Sequence, residues 1–107
     1  YRIRNGDLEI FYPQKAAIGF SDQGFKFENI EIELQKNDNI YLFSDGYADQ
    51  FGGERDKKLT TKKFKDLLLR LQPLPMRNQG MELEKFITDW SGNNSQVDDM
   101  LVIGLKV

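Results

Sequence analysis

The sequence predicts an α+β domain in which helices lie on one face of a largely antiparallel sheet. Three observations predict it. Short stretches of alternating or continuous apolar residues, separated by turn residues, fill the first half of the chain. Two stretches with apolar residues at helical spacing follow them. A last apolar run over 100–107 comes after both. Strands joined by short turns are expected to be antiparallel neighbours.

Residues 1–4 and 8–11 largely alternate, and Asn5-Gly6-Asp7 supplies the turn of a hairpin. A domain seldom opens on the first residue of a strand, so Tyr1 is expected to mark a cut through a longer protein. Residues 13–24 read as a partly buried connector, broken by Pro13, Gly19 and Gly24 around the patch Ala16-Ala17-Ile18-Gly19-Phe20. Alternation resumes over 25–34, with a phase shift near Asn29 that a bulge would absorb. Gln35-Lys36-Asn37-Asp38 then turns the chain into Asn39-Ile40-Tyr41-Leu42-Phe43, whose nearly unbroken apolar run suits a strand covered on both faces. After Gly53 the period becomes helical. Thr60 or Thr61 can cap a helix whose face is Phe64, Leu67, Leu68 and Leu71, and Gln72-Pro73-Leu74-Pro75 ends it. A second helix is expected over 81–90, with Leu83, Phe86, Ile87 and Trp90 as core positions. Residues 91–95 form a loop by composition. The final strand must return past both helices, and adjacency to the strand over 39–43 would bring Asp98 and Asp99 to the end of that strand.

At 107 residues the chain is one small domain. Its 39% hydrophobic and 30% charged residues describe a globular protein rather than a disordered or membrane one. The apolar runs are too short to span a bilayer and no signal-peptide pattern opens the chain, which points to the cytoplasm. Without cysteine there is no disulfide framework or thiolate zinc site. Without histidine there is no imidazole base, no serine-histidine triad and no histidine-ligated zinc, so carboxylates are the only metal ligands on offer. A net charge of −2 and a pI near 5.1 argue against nucleic-acid binding.

The chemistry is expected at Ser44-Asp45-Gly46, where a hydroxyl, a carboxylate and a glycine replace the apolar run at a strand end. An Asp-Gly pair most often marks an ordinary turn, and Gly46 would then serve a tight turn or a positive φ. A second acidic pair, Asp98-Asp99, precedes the last strand. Hard divalent cations take oxygen ligands gathered from separate parts of a chain, so the two strand ends together can form such a site. Asp49 is near enough in sequence to join from further out, although exposure to solvent is the simpler reading. Arg55, Lys57, Lys58, Lys62, Lys63 and Lys65 gather after the Asp45 loop, either as a solvated face or as a surface for a phosphorylated or acidic partner. Gly52-Gly53 is read as an ordinary loop. Trp90, Phe64 and Phe86 are read as core rather than as platforms for substrate.

The order of motifs, from Ile18-Gly19 through NIYLFSDGYADQ to the closing VDDMLVIGLKV, resembles the C-terminal half of the PPM-type metal-dependent serine/threonine phosphatases. Within them it is most similar to the bacterial branch typified by the sporulation stage II E phosphatase. The resemblance implies an α-β-β-α sandwich, of which this chain holds a part. It also implies two manganese or magnesium ions and hydrolysis of phosphoserine or phosphothreonine on a regulatory protein such as an anti-sigma-factor antagonist. Carried over by position, Asp45 and Asp98 match metal ligands, with Asp99 and Gly46 behind them. Arg55, Lys57, Lys58 and Lys62 are the candidate partner-binding residues. The family's N-terminal acidic motif, with its nearby Gly-His-Gly, is absent from a sequence without histidine. This stretch by itself is therefore expected to bind metal poorly, to be inactive and to self-associate through an uncovered sheet. Two other readings stand beside that one: a non-catalytic interaction domain that uses the basic cluster, and a plain α+β domain in which Asp45 and Asp98 serve only turns and caps.

Overall fold

The computed structural model describes residues 1–12, 31–96 and 98–107. The predicted connector over 13–24, the 25–30 part of the predicted strand and Val97 lie outside the described residues. The chain opens with β1 (Arg2–Arg4) and β2 (Asp7–Glu9), paired antiparallel with Arg4 opposite Asp7. The turn is Asn5-Gly6, at φ 50 and φ 82. That left-handed pair matches the strand twist, and Asn-Gly adopts it at low cost. Asp7 thus belongs to the second strand instead of the turn.

β3 (Asn39–Phe43) is the predicted central strand. It pairs with β1 on one side and with β6 (Val102–Lys106) on the other, in the order β2-β1-β3-β6 with every pairing antiparallel. The adjacency of the last strand to the central one is therefore present, running from Asn39 opposite Lys106 to Phe43 opposite Val102. Expected strand structure is not found at 31–34, where the carbonyl of Glu33 accepts from the guanidinium groups of Arg2 (2.9 Å) and Arg4 (3.2 Å). Asp38 is buried and takes a two-pronged bond from Arg4, at 2.9 and 2.7 Å, plus the N–H of Gln35 at 2.8 Å. These bonds hold its carboxyl near pKa 2, below the ordinary 3.8.

Three short elements follow β3: α1 (Gly46–Asp49), β4 (Phe51–Gly52) and β5 (Lys57–Lys58), the last two paired as a small hairpin. The sequence reading had a loop there. α2 (Thr61–Leu71) starts on Thr60, whose hydroxyl accepts from the N–H of Lys63, and buries the predicted face of Phe64, Leu67, Leu68 and Leu71. α3 (Met76–Ser91) starts five residues before the expected 81. Pro75 is not only a terminator, since its fixed φ suits the residue just ahead of a first helical turn. Met76 and Gln79 then extend the Leu83 face by one turn.

Gln79 was not a core candidate, yet it is buried. Its amide donates to the carbonyls of Leu74 (2.8 Å) and Gln72 (3.4 Å) and accepts from the Tyr41 hydroxyl (2.5 Å), so the polar group is satisfied. The core lies between the sheet and the helices. Phe64 sits with ring centroids 5.0 Å from both Phe43 and Tyr47, and the Tyr47 hydroxyl, its pKa pushed up by burial, donates to the Leu83 carbonyl at 2.8 Å. At the other end, Gly104 lets α3 approach β6: a Cβ there would lie 2.8 Å from the sulfur of Met76.

One expectation about β3 fails. Pleating turns Tyr41 inward, where it is 1% exposed, but turns Leu42 outward, where it is 60% exposed. Its neighbours across the ladder, Ile103 and Leu105, are exposed too. The run is apolar on both faces, but among the described residues helices cover only one.

Candidate metal centre

The last residue of β3 leads into Ser44 and Asp45, and α1 begins immediately. Asp45 is the N-cap of that turn of helix, with its carbonyl accepting from the N–H of Asp49 at 3.0 Å. Its own backbone is helical (φ −70), so the Asp-Gly pair is no reverse turn. Gly46 is not a positive-φ residue either. Its role is close approach: a Cβ at position 46 would lie 2.1 Å from the carbonyl oxygen of Asp99 and 3.2 Å from that of Asp98. Only a residue without a side chain admits the two segments at that separation.

Ser44 fixes the approach. Its N–H donates to the Leu101 carbonyl (2.9 Å), its hydroxyl donates to the Asp99 carbonyl (2.7 Å), and the same hydroxyl accepts from the Leu101 N–H (3.0 Å). The ladder of β3 and β6 thus continues one step beyond the strands, through a side chain. Ser44 carries a positioning role that the sequence reading did not assign, and the only cue to it was a hydroxyl between an apolar strand and an aspartate. Asp98 and Asp99 are exposed, as is Asp45. The Asp98 carboxylate accepts from the N–H of Asp99 at 2.8 Å, and the Asp98 carbonyl from the amide of Gln96 at 2.9 Å. Asp49 lies at the far end of α1.

The structure therefore brings Asp45 and Gly46 beside Asp98 and Asp99, from two chain segments more than fifty residues apart. Asp45 stands between the end of β3 and the start of α1, whereas Asp98 and Asp99 lie in irregular backbone ahead of β6; carboxylates are hard oxygen donors of the kind that suits magnesium or manganese. They do not amount to a full site: no group of three or more acidic, histidine or cysteine side chains able to hold an ion occurs among the described residues. The donor set fits part of a carboxylate site that needs further ligands.

The candidate partner-binding residues divide. Arg55 and Lys57 line an open cleft of about 370 Å³ with Gly52, Gly53, Lys63 and Trp90. Lys58 on β5 and Lys62 in the first turn of α2 are exposed outside it. Gly52 and Gly53 are not an ordinary loop, because a Cβ on either would come within 3 Å of Trp90. Trp90, expected in the core, is half-buried and walls the cleft, while its indole N–H donates to the Gln50 carbonyl at 3.0 Å. Phe64 is core as expected, and Phe86 stacks beside Trp90.

No curated protein matches the sequence. Among solved structures, the chain is similar to the SiaA-PP2C domain of Pseudomonas aeruginosa, with a TM-score of 0.71 and 28% identity. The match covers 78% of this chain and 34% of that one, so the chain spans about a third of the length of that domain. Residues 1–107, the whole chain, match the family described as stage II sporulation protein E, and the α+β order agrees with a part of the PP2C-like fold. The chain belongs to the SpoIIE family of PPM-type phosphatase domains.

Proposed function

We propose that the protein containing this chain hydrolyses phosphoserine or phosphothreonine on a regulatory protein, such as a phosphorylated anti-sigma-factor antagonist, in the cytoplasm. Asp45 and Asp98 are among the ligands of its manganese or magnesium ions, with Asp99 and Gly46 behind them. The observation that carries the reading is the close approach of the Asp98-Asp99 backbone to Gly46, which joins the two acidic strand ends. Ser44 holds that approach from one side. Asp45, at the start of α1, keeps its carboxylate on a segment fixed by both the strand and the helix.

A divalent cation bound there supplies charge to offset the phosphoryl oxygens and acidity to activate water, the chemistry a histidine-free sequence otherwise lacks. The chain's own residues orient and hold. No helix of the described residues is long and apolar enough to cross a membrane. The incomplete acidic set favours a second reading for this stretch taken alone, a phosphatase-like interaction domain without catalysis.

Manganese calorimetry separates the two. It would be run on this chain and on the protein extended upstream, each beside Asp45→Asn and Asp98→Asn. Saturable binding by the extended protein, lost in either variant, with weak or no binding by the chain alone, is the expected result. An extended protein that ignores both manganese and magnesium would sink the metal assignment and leave the interaction domain.

A further inference from the structure

The charge of the chain is unevenly spread. Residues 54–66 hold six cations, Arg55, Lys57, Lys58, Lys62, Lys63 and Lys65, against Glu54, Asp56 and Asp66, whereas the whole chain is at −2. None of the six enters an ion pair among the described residues. Three of them, Arg55, Lys57 and Lys63, converge on the cleft walled by Trp90, which Glu54 also lines. The Lys63 ammonium stands 5.0 Å from the indole centroid.

The cleft is firmly built. The Gly53 N–H donates to the Trp90 carbonyl at 3.0 Å, and the base of the hairpin is closed by Leu59 N–H on the Gln50 carbonyl (3.0 Å) and Thr60 N–H on the Ala48 carbonyl (2.8 Å). Across Trp90 the polarity reverses. A second open cleft, of about 420 Å³, is lined by Asp56, Asp89 and Asn94. A ligand lying along the hairpin therefore meets three cations and the single carboxylate of Glu54 on one side of the indole, and carboxylates without cations on the other, which favours its negative charge on the first side.

The hairpin is also close to the acidic strand ends. α1 advances the chain about 6 Å at ~1.5 Å per residue. The three residues from Gln50 to Gly52 add about 10 Å at ~3.3 Å per residue. The cleft thus begins within about 16 Å of Asp45, a span that about five residues of extended peptide cover.

We propose that the cleft formed by Arg55, Lys57, Lys63 and Trp90 docks an acidic segment of the protein substrate that lies no more than about five residues along the chain from the phosphorylated side chain. The assignment of a substrate rests on the phosphatase reading; the anionic docking rests on the cleft alone.

Trp90 is the single tryptophan of the chain and walls this cleft, so its emission reports on binding there, and the charge reversals at Arg55 and Lys57 separate this cleft from the acidic one across the indole. The test titrates the chain with a ten-residue peptide carrying serine and, five residues on, a run of three glutamates. Companion titrations use its phosphoserine form, a form with glutamine for glutamate, and inorganic phosphate. Saturable emission change is expected with both glutamate peptides, in wild type and in Asp45→Asn alike. Arg55→Glu with Lys57→Glu should weaken it about tenfold or more, as should raising the salt from low to high, since the charges are exposed. Glu54→Gln should tighten it, a sign that misfolding would not give. Equal binding of the glutamine peptide, indifference to the charge reversal, or full saturation by phosphate alone would overturn the docking site. Because no turnover or metal is involved, a failure of the metal site leaves this result intact, and the reverse holds too.

Discussion

A methyl group at position 46 would collide with backbone, not with a movable side chain, because the nearest atoms are the carbonyl groups of Asp99 and Asp98. Gly46→Ala should therefore push the two acidic segments apart and destabilise the fold by about 1–3 kcal/mol, the usual cost of overpacking a tight contact. Urea unfolding checks this, and a midpoint equal to wild type would mean that the segments separate freely. Asp38 makes a different kind of prediction. Its carboxyl titrates near 2 when folded and near 3.8 when unfolded, so between those values the unfolded chain binds the proton more readily. The stabilisation from its bonds to Arg4 and Gln35 is then complete above about pH 4 and fades as the pH falls toward 2. Asp38→Asn should be less stable than wild type at neutral pH, and the gap should close on acidification through that window. A gap that stays constant down to pH 2 would show that the pair contributes nothing through ionisation.

The link between α2 and α3 depends on one buried amide. Gln79 accepts from Tyr41 and donates to the carbonyls of Gln72 and Leu74, and Asn39 adds a second donor to Gln72 at 3.2 Å. Gln79→Leu leaves the buried Tyr41 hydroxyl without its Gln79 partner, at about 1–3 kcal/mol, and removes the donor to the part-buried Leu74 carbonyl at a smaller cost. Adding Tyr41→Phe should recover part of that loss, and a double-mutant cycle in urea measures how much. This amide also shows why α3 was underestimated from sequence. A glutamine at a core position carries no hydrophobic signal, and Pro75 reads as a stop although it is also a start. Where apolar residues carried the pattern, as in β3 and the buried face of α2, the elements were legible nearly to the residue, while β6 starts two residues later than the apolar run over 100–107 suggests. The two-residue strands of the Phe51–Lys58 hairpin were not. They are held by backbone bonds and by glycines flat against Trp90, and neither leaves a periodic trace. Of the candidate site, the sequence offered two acidic stretches, Asp45 and Asp98-Asp99. What joins them, a glycine without room for a Cβ and a serine bonding both ways, appears only once β3 and β6 are side by side.

Two sides of the sheet face very different surroundings. On one, Ile3, Tyr41 and the helices make the core; on the other, Leu42, Ile103 and Leu105 are 60, 43 and 56% exposed, with Leu101 at 57% close by. The register sets Leu42 directly opposite Ile103 and Ile40 opposite Leu105, so these side chains form one contiguous apolar patch rather than scattered contacts. Patches of that kind on a folded domain mark surfaces that another layer covers. The chain spans about a third of the length of the SiaA-PP2C domain, and for this stretch alone a cover available in solution is a second copy. β6 adds a reason, because among the described residues it lies at the edge of the sheet and can pair with a partner strand. The chain should therefore self-associate, with a weight-average mass in sedimentation that rises with concentration. Leu42→Lys with Leu105→Glu should return it to monomer without loss of folding, since both side chains already face solvent. A wild-type chain that sediments as a monomer at high concentration would refute association through this face. If the double variant associates as strongly as wild type, the contact lies elsewhere, with the edge of β6 the first place to look.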